Sequence, residues 1–231
     1  MKGNNLSLKN TTQAEYDSIW SKYFDLTRDY VQMHEMFRNY EQGTKVTYIT
    51  QALSYSPGLR LMKQDAWEVL ISFVLSQNSN IPRIKKMIES LCENFGEQLP
   101  CGGYTFPTAQ SIAALKAEDL SVIRSGYRAP YIIDAATQVA NGTLQLDLLH
   151  SKPTAEIKKA ILQVHGVGPK VADCVLLFGF GRLECIPVDV WIKKVLDKLY
   201  PAGFPKELQE YAGLAQQFLF HYARNHAHEF S

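Results

Sequence analysis

The sequence predicts an all-α fold. Three observations carry that expectation. Apolar residues recur at spacings of three and four, capping residues and glycines bracket those stretches, and alternating strand patterns are nearly absent.

Residues 1–12 are polar with sparse alternation (Leu6, Leu8) and read as a frayed end or one short strand. Thr12 to Tyr40, rich in aromatic and charged residues, reads as one or two short helices. Asp65 is a good N-cap, its carboxylate accepting the free N–H groups of a first turn. Trp67, Leu70, Ile71, Val74 and Leu75 then form a buried helical stripe that stops within Gln77-Asn78-Ser79-Asn80. A second helix carries Ile84, Met87, Ile88, Leu91 and Phe95, with Gly96 expected as a left-handed C-cap. Pro100 to Pro107 reads as a loop, followed by short helices at 108–115 and 117–123. Gly126-Tyr127-Arg128 reads as a second loop, and a helix from Pro130 to Asn141 closes on Gly142.

Ala155 to Val164 is helical by its apolar positions 157, 160, 161 and 164, and it ends at His165-Gly166-Val167-Gly168. A new helix starts at Pro169-Lys170, where proline fits because a first turn has no internal use for its N–H. It runs to about Phe178 and is broken by Gly179 and Gly181. Pro187 redirects the chain, and Asp189 caps a helix carrying Val190, Val195, Leu196 and Leu199. A last helix near 207–223 is expected to bury Tyr211, Leu214, Ala215, Phe218, Leu219 and Tyr222.

Bulk properties set limits. A chain of 231 residues holds one large domain or two small ones, and its 46% hydrophobic content suits a sizeable core. With 24 Lys+Arg against 23 Asp+Glu the chain is not a general polyanion binder, so any nucleic-acid contact must be local. Cys92, Cys101, Cys174 and Cys185 include no CxxC pair. Zinc and iron–sulfur sites need clustered ligands, so neither is expected; Cys174 and Cys185 read as small hydrophobes. The first ten residues lack the apolar core of a signal peptide, and no run of eighteen apolar residues occurs. A soluble, reduced, intracellular protein of the cytoplasm or nucleoid is expected.

The helix–Gly-Val-Gly–helix element has its own chemistry. Its glycines permit positive φ and close approach of a ligand to the backbone. The free N–H groups after Pro169, with the helix dipole, attract an anion such as a DNA phosphate. By itself a G-x-G is more often a plain turn. Lys170 shifts the balance: positive potential at a helix N-terminus and desolvation both favour a neutral, nucleophilic amine. Nineteen residues on, Asp189 places a carboxylate that can stabilise a developing cationic sugar. Separately these read as a surface lysine and a cap; together, behind a phosphate-binding hairpin, they point to N-glycosidic bond cleavage.

The segment VHGVGPKVADCVLLFGFGRLECIPVDV, residues 164–190, resembles the catalytic core of the helix–hairpin–helix DNA glycosylases, and within them the 8-oxoguanine DNA glycosylase/AP lyases. Residues 65–96, Gly126-Tyr127-Arg128-Ala129 and Tyr211 to Gln216 resemble further blocks of that family in the same order, so the likeness runs from about residue 15 to the end. It implies the helix–hairpin–helix glycosylase fold, two helical subdomains with the active site in the cleft between them. The division expected is residues 15–64 plus 171–231 against 65–170.

The resemblance implies that Lys170 attacks the anomeric carbon and forms a Schiff base, that β-elimination nicks the strand, and that Asp189 stabilises the transition-state charge. Cys174 and Phe220 would sandwich a flipped base beside Pro187, and Gln216 would bond its Watson–Crick edge; extrusion is needed because the glycosidic carbon is unreachable in the duplex. Asn78 would fill the vacated space and Tyr127 would wedge the stack. Arg83 and Arg128 would hold the orphaned cytosine through its acceptors. Asn80, His165, Gly166, Val167, Gly168, Val171 and Trp191 complete the implied DNA contacts. His165 stands where the family often has proline, and Trp191 where some relatives use histidine. Without the resemblance, Cys174 and Phe220 read as core, Arg83 as a solvated helix face and Asn78 as a C-cap.

No cofactor, metal or iron–sulfur cluster is implied, although the likeness permits a structural alkali cation on the hairpin carbonyls. The implied partner is double-stranded DNA carrying an oxidised purine or abasic site, bound by a monomer without membrane. Relatives also carry an N-terminal β domain of roughly a hundred residues, of which residues 1–14 would be at most a remnant. Its backbone carbonyl senses N7 of 8-oxoguanine, and no residue here is assigned that role. An AP lyase, a glycosylase with another lesion preference, and a non-catalytic helix–hairpin–helix DNA binder are the alternatives.

Overall fold

The computed structural model describes residues 6–44, 46–100 and 102–230. Its helices of eight or more residues are α1 (Tyr30–Thr44), α2 (Tyr48–Tyr55), α3 (Ala66–Ser76), α4 (Ile81–Phe95), α5 (Ala129–Ala140), α6 (Thr154–Ile161), α7 (Pro169–Phe178), α8 (Val190–Leu199) and α9 (Ala212–Asn225). Among the described residues β structure is limited to an isolated bridge, Gln98 to Tyr104, which joins the residues before the expected loop to the loop itself. The all-α class holds. The expected N-terminal strand falls partly on residues 1–5, outside the described residues; residues 6–12 form no strand.

Most helix starts follow from local chemistry. Asp65 accepts from Glu68 N at 2.9 Å, Asn80 from Arg83 N at 3.0 Å and Asp189 from Ile192 N at 2.8 Å. Pro82 and Pro169 occupy first turns, where their missing N–H costs nothing. α2 is different. Its N-cap Thr47 makes no side-chain cap bond. The buried Glu41 of α1 accepts instead from Ile49 N at 2.6 Å and Thr50 N at 2.7 Å.

α3 is the central helix. Leu70, Ile71, Val74 and Leu75 are fully buried, and it packs on α4, α5 and α7. α6 lies on α7, while α9 packs on α2 and α8, and α1 on α2.

Several boundaries depart from expectation. Gly96 is extended (φ −89°, ψ 169°), not left-handed. Glycine is required there by space: a Cβ would stand 2.0 Å from the Thr105 carbonyl oxygen and 2.6 Å from that of Cys92. Gly126–Arg128 is a 3-10 turn rather than a loop, and the last helix opens as a 3-10 segment, Lys206–Tyr211. Tyr211 and Tyr222 are only half-buried. Val190, one of the apolar residues expected on α8, is 75% exposed, and Ile192 is the buried residue of that turn.

Candidate active site

The hairpin between α6 and α7 is braced from α5. His165 N donates to Asp134 Oδ2 at 2.8 Å, and the His165 ring meets Tyr131 edge-on at 4.7 Å. Gly166 has φ +78°, and a Cβ there would lie 2.3 Å from the Tyr131 ring. Gly168 caps α7 with ordinary extended backbone (φ −94°, ψ 177°), and a Cβ added to it would meet nothing within 4 Å. One glycine is therefore demanded by the protein, while the other leaves open space over a helix start. Val167 and Val171 are buried, so these two positions can offer a ligand only backbone.

Lys170 opens α7 and its Nζ lies over the Phe73 ring at 5.2 Å. Phe73 itself stacks on Phe178 at 5.5 Å. This aromatic pair lines a cavity of about 190 Å³ together with Lys170, Cys174, Pro187, Asp189, Gln216, Gln217 and Phe220. Six of the sequence-predicted residues thus share one wall-to-wall pocket: the nucleophile candidate, its carboxylate and the four base-pocket candidates.

Burial pushes the Cys174 thiol up to about 11, partly opposed by the neighbouring Lys170 ammonium, while Asp173 and Asp189 add to the rise. Cys174 is accordingly a neutral, polarizable wall at pH 7 rather than a second nucleophile. Asp189 spends Oδ1 on the α8 cap, and its carboxylate faces both this pocket and an open cleft of about 610 Å³. The cleft runs past Asn78, Lys170 and the exposed Val188 and Val190.

Asn78 projects from the turn after α3 with φ 45°, a left-handed conformation that a non-glycine residue adopts rarely. The turn is held by the other half of the expected wedge. Tyr127 Oη donates to the Gln77 carbonyl at 3.4 Å, and Arg128 Nε donates to the same oxygen at 2.9 Å. The second and third Arg128 nitrogens donate to the carbonyls of Asn78 and Ser125, each at 3.1 Å, and its guanidinium lies 4.5 Å from the Tyr127 ring. Arg128 is 2% exposed. In this conformation its guanidinium is spent on the Asn78 turn, whereas Tyr127, Asn80 and Arg83 are exposed. Trp191 is half-buried, with Lys194 Nζ 5.7 Å from its ring.

The sequence reading missed three pocket residues. Phe73 and Phe178 lie on apolar stripes indistinguishable from core, and Gln217 follows Gln216 without a motif of its own. Among the described residues no three His, Cys, Asp or Glu side chains gather as a metal site, and no helix is long and apolar enough to cross a membrane.

Fold and site together define a helical protein with a helix–Gly-Val-Gly–helix hairpin and a pocket that holds a lysine and a carboxylate. The chain belongs to the HhH-GPD superfamily of base excision DNA repair proteins, whose sequence profile matches residues 71–215. Residues 3–70 match the profile of the 8-oxoguanine DNA glycosylase N-terminal domain; in this chain the described part of that stretch is helical or irregular. A Saccharomyces cerevisiae protein named "N-glycosylase/DNA lyase" is 34% identical over 158 residues, covering 62% of this chain; the match takes in 42% of the yeast protein. A Methanothermobacter thermautotrophicus relative named "Probable N-glycosylase/DNA lyase" is 31% identical over 93% of this chain and 75% of its own. The crystal structure of a Clostridium acetobutylicum 8-oxoguanine glycosylase/lyase, with DNA containing cytosine opposite 8-oxoguanine, superposes with TM-score 0.84 at 33% identity. It covers 94% of this chain and 78% of that one.

Proposed function

We propose that this chain is a bifunctional DNA glycosylase/AP lyase of base excision repair that removes 8-oxoguanine paired with cytosine in duplex DNA. The observation that carries the reading is the single pocket in which Lys170 and Asp189 share walls with Cys174, Gln216 and Phe220. The Lys170 amine attacks the anomeric carbon as the bond to the base breaks, and the amine proton leaves with the base. The sugar opens to a Schiff base on Nζ, and loss of the 3′ phosphate by β-elimination nicks the strand. Asp189 stabilises the oxocarbenium-like charge between these states. The flipped base lies between Cys174 and Phe220, with Gln216 at its edge.

The hairpin holds the lesion strand through backbone N–H groups near Gly168, and the pocket sits at the junction of the two helical subdomains expected from sequence. Asn78 and Tyr127 occupy the vacated stack, and Arg83 reads the orphaned cytosine. Arg128 supports this from behind, by fixing the carbonyls of the turn that presents Asn78. An alkali cation on the hairpin carbonyls is a further expectation that rests on the family likeness alone.

Borohydride trapping tests the proposal. Duplex DNA with 8-oxoguanine opposite cytosine should give a covalent protein–DNA adduct that Lys170→Gln abolishes. Trapping on an abasic site but never on the lesion would leave a lyase; no adduct on either substrate would leave only a DNA-binding module.

A further inference from the structure

We infer that a second groove, separate from the catalytic cleft, binds the sugar–phosphate backbone of the strand opposite the lesion; the inference rests on the function proposed above. The groove has a volume of about 630 Å³, with Met87 and Ile123 among its lining residues and Asn80, Arg83, Lys86, Ser90 and Arg124 as its polar ones. No carboxylate lines it. Arg83, Lys86 and Arg124 enter no ion pair among the described residues. In a chain of net charge +1, three cations lining one groove without an ion-pair partner are a local feature that a polyanion would satisfy.

Arg124 adds a second observation. It closes the 3-10 segment Asp119–Ile123 in the left-handed conformation (φ 55°, ψ 37°). A glycine would adopt that backbone without strain, so a long cation is kept there at a conformational cost.

Placement decides which strand is met. The turn 76–80 is a ridge between two concavities: Ser76 to Ser79 wall the cleft that holds Lys170 and Asp189, and Asn80 walls the basic groove. Arg124 lies three residues before Tyr127, whose hydroxyl is tied to that same ridge. A duplex with its lesion strand in the cleft and Asn78–Tyr127 in its stack places its other strand across the ridge, over Arg83, Lys86 and Arg124. Arg83 then sits nearest the orphaned base, and Lys86 and Arg124 reach the phosphates beyond it.

The test is the double variant Lys86→Gln/Arg124→Gln in the full chain. Its binding to an uncleavable 8-oxoguanine·cytosine duplex is followed by fluorescence anisotropy from about 50 to 200 mM salt, beside the lesion strand alone. The slope of log Kd against log salt should become shallower by about 2 on the duplex, with affinity near 0.1 M salt falling more than tenfold. Single-strand affinity and the saturating single-turnover rate should stay at wild-type values. An unchanged duplex slope in a protein that still traps on the lesion overturns the groove alone, and equal losses on duplex and single strand overturn its assignment to the opposite strand. A wild type that binds no duplex overturns the groove and the proposed function together.

Discussion

Gln216 enters the pocket with its amide already engaged: Gln217 Nε2 donates to Gln216 Oε1 at 2.6 Å. One side of the Gln216 amide is thereby fixed, and its NH2 group and remaining lone pair are left for a base edge. Gln217→Ala removes a hydrogen bond worth about 1 kcal/mol. KM for the lesion duplex should rise about fivefold with little change in kcat, and trapping on an abasic site should not change, because no base is present to read. Equal losses on lesion and abasic substrates would show that Gln217 supports the fold rather than the amide. Its role was not legible from sequence, since a glutamine on a mixed helix face carries no periodic or motif signal. Lys170 and Asp189 were legible because each sits at a helix start that proline or a cap announces. Phe73 and Phe178, the ring pair under the lysine, look from sequence like any other core residues.

At the scale of elements, substitutions at the two hairpin glycines should separate folding from the proposed DNA binding. Gly166→Ala sets a Cβ against the Tyr131 ring in a left-handed backbone, which should cost about 2 kcal/mol and lower Tm by about 6 °C. Gly168→Ala places its methyl in open space with φ −94°. It should melt like the wild type and still lose DNA affinity about tenfold or more, because the methyl occupies the space a phosphate needs. Gel-shift titration beside thermal melting distinguishes the pair; a Gly168→Ala protein that binds normally would remove the hairpin from the DNA interface. The starts of α3, α4, α7 and α8 could be read from sequence because their caps lie within three residues of them. α2 could not, since its cap is the Glu41 carboxylate of another helix, and no local pattern encodes a tertiary cap. Gly96 was misread for the same reason: its need for a missing Cβ comes from a carbonyl nine residues away. Glu41→Gln should destabilise the protein by about 1–3 kcal/mol in denaturant titration, as one carboxylate oxygen becomes a second donor facing backbone N–H groups.

Across the whole molecule, the N-terminal segment is tied to the helical body through one buried carboxylate. Asp25, with its backbone at φ 49°, pairs with Arg28 Nε at 2.5 Å and Lys63 Nζ at 2.9 Å, and it accepts from Tyr30 Oη at 3.0 Å. Tyr30 Oη in turn accepts from Leu61 N, and Arg60 donates to the Asp25 carbonyl while lying 4.4 Å from the Tyr30 ring. Next in the chain, Lys63 N donates to the Tyr23 carbonyl and Gln64 N to that of Phe178, so this node adjoins the entry to α3 and the end of α7. Burial opposes ionisation of Asp25, but the bonds from Lys63, Arg28 and Tyr30 outweigh it and hold the carboxyl below its usual value. A folded-state value below the unfolded one, about 3.9, means that the stabilisation is present above that pH and is lost as pH falls toward the folded value. Asp25→Asn should therefore cost about 2 kcal/mol at pH 7 and lose less stability than the wild type between about pH 5 and 3. The two melting curves then converge in acid. Parallel pH profiles would mean that Asp25 takes up protons equally in the folded and unfolded states across that range and that another carboxylate sets the acid limit of the fold.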